Sequence, residues 1–396
     1  MSIPFRPGVF AIAIAILTAA GPLRAGDGPL LVPVEGEPFP ATLAASDSDD
    51  SLVFNAAGGR RVFARRDIVC WGRCAEPERG PVLLLRDGSL LAARRVDLKD
   101  GVIGADADSL GQLEIPFSRL AAVVLELPAA PVQRDRLLDR ALQAETAETR
   151  AVLLNGDVVR GRLLALGGTE IQLETEVGPV TLALDRISSI TFPQAADAES
   201  AAAPGRIVVG LDDGSRVLAE RLAIGEREAT LVGGGVASTI DPQRIVFLQP
   251  ASDRVVYLSD LAPDGYRHVP FLNLAWDYRL DRNVLGGRLR NAGQIHLKGI
   301  GMHTASRLTF APPEDARSFQ ASLAIDDAAR ELGSVRFRVF VDGGQKYVSP
   351  TIRGGDSPVP IEVDVRGAKR VDLVVDYADR ADVQDHANWL GARFVR

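Results

Sequence analysis

The sequence predicts an all-β protein in which small SH3-like or Sm-like barrels repeat in tandem and a two-sheet β-sandwich follows. Three observations lead there. Runs of Val, Leu and Ile are broken by Asp-Gly, Asn-Gly and Gly-Gly pairs, as expected of short antiparallel strands joined by tight primed turns. Before residue 250 an apolar run into a Gly turn recurs four times, each answered by an Arg and a closing strand: Gly36 to Arg66, Gly88 to Arg119, Gly156 to Arg186 and Gly214 to Arg244, spacings of 30, 31, 30 and 30. After residue 250, "FQASLAI", "VRFRVFVDGG", "IEVDV" and "VDLVVDY" alternate apolar and polar residues with the period of half-buried strands.

Taken in order, the chain begins with Arg6, an apolar run from Val9 to Ala20 and small residues up to Ala25, the pattern of a cleaved export signal. The run is too short to span a bilayer as a helix, and no later segment is apolar enough to do so. Residues 1–25 are therefore expected to leave the mature protein, which is placed in the periplasm, at the cell surface or outside the cell. Export makes Cys70 and Cys74, in "CWGRC", candidates for a local disulfide, with two free thiols as the alternative. Neither belongs to a zinc motif.

Repeats one and two are expected over residues 26–128 and repeats three and four over 151–250. About five short strands in each unit, closed by a final strand, suggest a small barrel. Between the pairs, residues 129–150 read as a helical linker, exposed and apolar at Leu137, Leu138, Ala141 and Leu142. Pro193 to Gly205 reads as a flexible joint. The recurring arginines are expected to satisfy turn carbonyls or to pair with Asp67 or Asp185. A nucleic-acid role is excluded by charge: before Ala251 there are 25 Lys and Arg against 33 Asp and Glu, and afterwards 20 against 19.

Residues 251–396 form the sandwich. Here "VYLSDLAP", "FLNLAWDYRLDRNVLGGRLR", "KGIGMHTASRLTF", "ASLAIDDAARELGSVRFRVFVDG", "RGGDSPVPIEVDVRGAKRVDLVVDY" and "DVQDHANWLGARF" together resemble the NPCBM/NEW2 family, carbohydrate-binding modules related to family 51. The resemblance covers about residues 254 to 396. It implies a discoidin-like jelly roll, usually appended to exported proteins, with sugar binding as its role. The front repeats only look similar to small barrels that precede this module in large exported bacterial proteins.

A sugar site needs an aromatic face against the pyranose and planar polar groups for its hydroxyls. Trp276, Tyr278 and Trp389 are the candidate aromatics, with Arg290, His303, Asp385, His386 and Asn388 as polar residues within the same blocks. Trp389 precedes the last strand and reads equally as a core plug. Gly299 and Gly301 are expected to turn the chain sharply before His303, and His296 reads as a plain strand residue. No catalytic motif of the nucleophile-elbow, Walker or zinc-helix kind occurs. The expectation is a protein without catalysis or cofactor; Asp326, Asp327 and Asp385 are the oxygen ligands that a structural Ca²⁺ would use. The chain thus reads as a glycan binder whose front repeats act as spacer or docking units for a protein partner. The alternative is an envelope protein whose sandwich binds protein, and a glycoside-active enzyme stands third.

Overall fold

The structure, a computed structural model, describes residues 28–48, 50–193, 205–271 and 273–396. The export signal lies outside the described residues, as does nearly all of the joint after Pro193. Among the described residues the chain is almost wholly β, with a single α-helix, and no helix is long and apolar enough to cross a membrane.

Four similar units make up the front half. In the first, strand Leu30–Pro33 pairs antiparallel with both Phe39–Ser48 and Ile68–Gly72, while Ser51–Ala56 and Gly59–Ala64 continue the meander. A 3₁₀ turn precedes the closing strand in every unit: Arg65–Asp67, Phe117–Arg119, Leu184–Arg186 and Pro242–Arg244. Each recurring arginine lies in that turn, and in three units its own carbonyl accepts the amide that ends the first strand: Arg86 to Arg119, Leu154 to Arg186 and Asp212 to Arg244, at 2.9–3.0 Å. In the first unit Asp67 takes that place, receiving Val34 N–H at 2.9 Å, so the periodic arginine is one residue out of step there. The side chain of Arg244 does satisfy a carbonyl, that of Asp108 at 2.7 Å.

The units interlock out of sequence order. Closing strand Ile68–Gly72 pairs with Ile245–Pro250, joining units one and four, and Leu120–Val124 pairs with Ile187–Thr191, joining two and three. Units two and four meet about a pseudo-twofold axis. There Leu90 pairs with Arg216, Ala92 N–H donates to Ser215 Oγ, and Leu218 N–H donates to Ser89 Oγ, both at 2.9 Å. One continuous apolar core, from Leu31 through Leu91 and Ile171 to Leu248, runs through all four units, which explains how repeats too small to bury much surface alone become stable.

Helix α1, Pro131–Leu142, is packed rather than exposed. Leu138 and Ala141 lie against Val82, Leu84, Ala122 and Val124, while Asp135, only 2% exposed, faces the sandwich.

The sandwich has two antiparallel sheets. One runs Arg279–Leu280, Gly299–Met302, Ala387–Val395, Ser318–Ile325, Val359–Asp364; the other runs Gly265–His268, Ser306–Phe310, Val371–Tyr377, Ser334–Val341, Gly344–Val348. Between them Phe310, Phe319, Phe337, Phe394 and Trp389 are fully buried. Trp389 meets Phe337 edge-on at 4.9 Å, so this tryptophan is a core residue and offers no face to a ligand. Gly299 and Gly301 sit inside a strand and do not turn the chain: a Cβ at Gly299 would stand 2.4 Å from Trp389 O, and one at Gly301 2.4 Å from Arg282 O. Close backbone approach is what requires glycine there.

Cys70 and Cys74 are free thiols. The chain between them runs on toward an isolated bridge, Cys74 with Ile295 of the sandwich, instead of closing a loop. Both pack in the seam between the halves, Cys74 against Phe247 and Ile295, and Cys70 beside Val34, Val69 and Val395. Burial pushes the Cys70 thiol up to about 11, against the pull of Arg393.

Candidate functional site

At one end of the sandwich the irregular residues 269–271 and 273–278, the turn Met302–Ser306 and the segment before Ala387 converge. Trp276 is half-buried in the first of these and lies flat on His303, ring centroids 4.6 Å apart and planes 5° from parallel. His268 and His386 stand 6.2 and 6.0 Å from the same imidazole. Three of the chain's four histidines therefore meet under one tryptophan.

Hydrogen bonds set the orientation of these rings. The Thr304 carbonyl accepts from His268 Nε2 at 2.9 Å and from His303 Nδ1 at 3.0 Å, one donor for each of its lone pairs. His268 Nδ1 in turn accepts Trp276 N–H at 3.2 Å, which makes His268 the Nε2–H tautomer and ties the tryptophan loop to it. The Thr304 hydroxyl donates to Asp385 Oδ2 at 2.8 Å, and Ser334 N–H donates to Asp385 Oδ1 at 2.9 Å. Asp385 is fully buried and both oxygens are engaged, so it holds Thr304 in place from behind. His386 is 5% exposed, and its Nδ1 has no hydrogen-bond partner among the described residues. Around the rings Val269, Phe271, Leu274 and Val383 are each about half exposed or more, an apolar rim; Phe271 leans edge-on against Tyr377 at 6.1 Å.

Electrostatically the cluster favours neutral groups. Burial pulls His386 down to about 4, with His303 adding to the effect. Burial also lowers His303, against the Thr304 hydrogen bond and Asp382, with His268 adding to the fall. Asp385 is pushed up to about 6 by burial, opposed by Ser334 N–H and the Thr304 hydroxyl.

Opposite dependences on pH follow. A histidine lowered in the folded state contributes stability that is present above its unfolded value near 6.5 and is lost as pH falls toward 4. A raised carboxyl does the reverse, so Asp385 favours the folded state more as pH drops from about 6 toward 4. Asp326, also raised by burial, acts in the same sense as Asp385, but His303, His386 and half-buried His296, itself lowered to about 4 by burial, outnumber the two carboxyls. Stability should thus fall between pH 6.5 and 4, and His386→Asn should flatten the slope; equal slopes in urea titrations of the two proteins would contradict the assignment.

The remaining sequence candidates lie elsewhere. Tyr278 packs on Tyr266 at 5.0 Å, and Tyr266 O–H donates to the Trp276 carbonyl at 2.7 Å, so the pair supports the tryptophan loop from below. Arg290, expected at the sugar site, is buried against helix α1: its Nη1 and Nη2 reach Asp135 at 2.5 and 3.1 Å and its Nε reaches Glu76 at 2.9 Å. Its strand is drawn away because its own N–H donates to Asp326 Oδ2 at 3.0 Å. Asn388 is buried and donates to the same carboxylate at 2.7 Å. Asp326 also takes N–H donors from Asn283 and Ala328, and Asp327 takes those of Ala292 and Gly293. Among the described residues no three His, Cys, Asp or Glu side chains are grouped to hold a metal ion. Sequence reasoning passed over His268, Thr304 and Tyr377; the rarity of histidine was the one signal for the first.

The NPCBM/NEW2 domain family matches residues 254–395. A Renibacterium salmoninarum protein provisionally named an endo-alpha-N-acetylgalactosaminidase is 33% identical over 110 residues, 28% of this chain and 7% of that protein. Among solved structures, a second family 51 module of Clostridium perfringens ZmpB, in complex with GlcNAc and with INT domains, aligns with a TM-score of 0.33 and 29% identity over 43% of this chain and 36% of that one. A family 51 module from a Clostridium perfringens GH95 protein, in complex with methyl-galactose, aligns with a TM-score of 0.32 and 20% identity, covering 36% of this chain and 99% of that one. The chain thus spans a small part of its curated relative. Its C-terminal region, residues 254–395, is an NPCBM/NEW2 domain.

Proposed function

We propose that this is an exported protein without catalysis, whose sandwich binds a glycan at the Trp276 cluster while the four front units act as spacer or docking elements. The observation that carries the reading is the Trp276–His303 stack. An indole held flat by a buried imidazole is a preorganised platform for the apolar face of a pyranose, and it needs no ordering when the ligand arrives. The unpartnered His386 Nδ1 is a polar atom of the kind a sugar hydroxyl would satisfy. Family membership supports the same assignment.

The test is calorimetric titration of the full chain with galactose-, N-acetylglucosamine-, glucose- and mannose-containing glycans, in Ca²⁺ and in EDTA. Binding of at least one glycan is expected; silence across the panel at millimolar ligand would overturn the proposal. The apolar rim of Val269, Phe271 and Leu274 favours a second reading, in which the same end docks a protein. Under that reading the glycan titrations are silent and Phe271→Asp abolishes capture of the partner.

A further inference from the structure

The contact between units two and four shows how one front unit covers another. Each offers its Gly turn, at residues 86–90 and 212–216, and the turn between its third and fourth strands, after Ala107 and after Gly233. Ser109, in that second turn of unit two, donates its N–H to Asp213 Oδ2 at 2.8 Å and its hydroxyl to Asp212 Oδ1 at 2.7 Å, both in the Gly turn of unit four. The serine after each turn glycine then seals the backbone edges, Ser89 Oγ accepting Leu218 N–H and Ser215 Oγ accepting Ala92 N–H. Because one pairs with four, four with two and two with three, the units form a row with units one and three at its ends.

The two ends differ. In unit one the residues matching Leu90 and Ala92 are Pro38 and Pro40, which have no N–H to offer an incoming strand. Glu35 of the same Gly turn pairs with Arg254 and stands 3.7 Å from Arg317, both of the sandwich. Unit three has neither protection. Its turn follows the plan of units two and four: Asp157 N–H donates to Asn155 Oδ1 at 3.1 Å, as Ser89 N–H does to Asp87 Oδ1 and Ser215 N–H to Asp213 Oδ1. Val158 and Arg160 pair with Val152 and Arg150 on one side and with no strand on the other among the described residues. At the place of Asp212 unit three has Leu154, 53% exposed; at the place of Leu110, 4% exposed in unit two, it has Val177, 93% exposed.

We propose that a second copy of this chain covers the bare end, unit three against unit three about a twofold axis, in the manner of units two and four. The edge is complementary to itself. Val158 meets Val158 of the second copy as Leu90 meets Arg216, and the Asp157 carboxylate, at the serine position, accepts the second copy's Arg160 N–H as Ser89 accepts that of Leu218. Leu154 packs on Val177 of the second copy, so an apolar contact replaces the polar one between Asp212 and Ser109. Such a contact is isologous and closes at two chains, and the prolines of unit one leave no second edge for further growth.

Sedimentation velocity of the full chain tests this. A reversible dimer, twice the mass of the chain, is expected to form between about 1 and 100 µM, as suits a contact of modest area. A chain that stays monomeric throughout overturns the proposal, as does growth through a series of larger oligomers. Val177→Asp, at a side chain in almost full contact with solvent, should leave the fold intact and weaken association about 10-fold or more. Val158→Pro with Arg160→Pro, which installs the residues of unit one, should leave only monomer. A dimer as tight in Val177→Asp as in the wild type would place the contact elsewhere and refute the site. If the proline variant does not fold, Val177→Asp decides.

Discussion

Asp135→Ala should lower the stability of the full chain by about 3–5 kcal/mol, the usual result of removing one partner from a buried, hydrogen-bonded ion pair. Asp135 accepts two bonds from the Arg290 guanidinium, at 2.5 and 3.1 Å, and the Arg288 N–H at 2.8 Å, with almost no contact with solvent. Its loss leaves two arginines beside Glu76 alone. Burial by itself would raise the Asp135 carboxyl, but Arg290 and then Arg288 outweigh it and hold the group below the ordinary carboxylate range. The contribution is accordingly present above an unfolded value near 3.9 and fades as pH falls through the lower folded one. Arg282 with Asp139, at 2.5 Å, is a second tie from the same helix to the same loop. Breaking the first should also let the sandwich melt apart from the front half, so that one calorimetric transition becomes two. The double replacement Asp135→Leu with Arg290→Met should cost far less than the single change, because no charge is left stranded. A stability loss under about 1 kcal/mol for Asp135→Ala would show that the junction is hydrated and loose.

Trp276→Ala should weaken glycan binding by about 10- to 100-fold, the range expected when a central aromatic platform is removed. Folding should suffer little, since the indole is half-buried and its loop is also held by Tyr266 and His268. Trp389→Ala is the control with the opposite signature: that ring is wholly inside the sandwich, and its loss should cost about 3–5 kcal/mol of stability. If Trp276→Ala binds glycan as the wild type does, the platform is somewhere else on the module.

Site residues were less legible than strands, for a physical reason. A strand announces itself through neighbours two apart, and "VRFRVFVDGG" was readable on its own. A site is made by residues far apart: His268, Trp276, His303 and His386 come from three segments that only the loops at one end of the sandwich bring together. Arg290 and Trp389 show the converse. Each has the right chemistry for a sugar and lies in a family block, yet one is claimed by Asp135, more than a hundred residues earlier, and the other by the packing of Phe319 and Phe337. Composition identifies a type of side chain, and partners decide its use.

The sequence by itself determined the all-β character, the four-fold recurrence of Gly turn, arginine and closing strand, and the presence of an NPCBM/NEW2 domain, because each is written in local periodicity or in ordered blocks of residues. Tertiary structure alone decided that unit one pairs with four and two with three, that helix α1 is a buried tie instead of an exposed linker, and which histidines share a tryptophan. Those outcomes depend on which apolar faces and which charges meet across long stretches of chain, and no window of sequence contains both sides of such a contact.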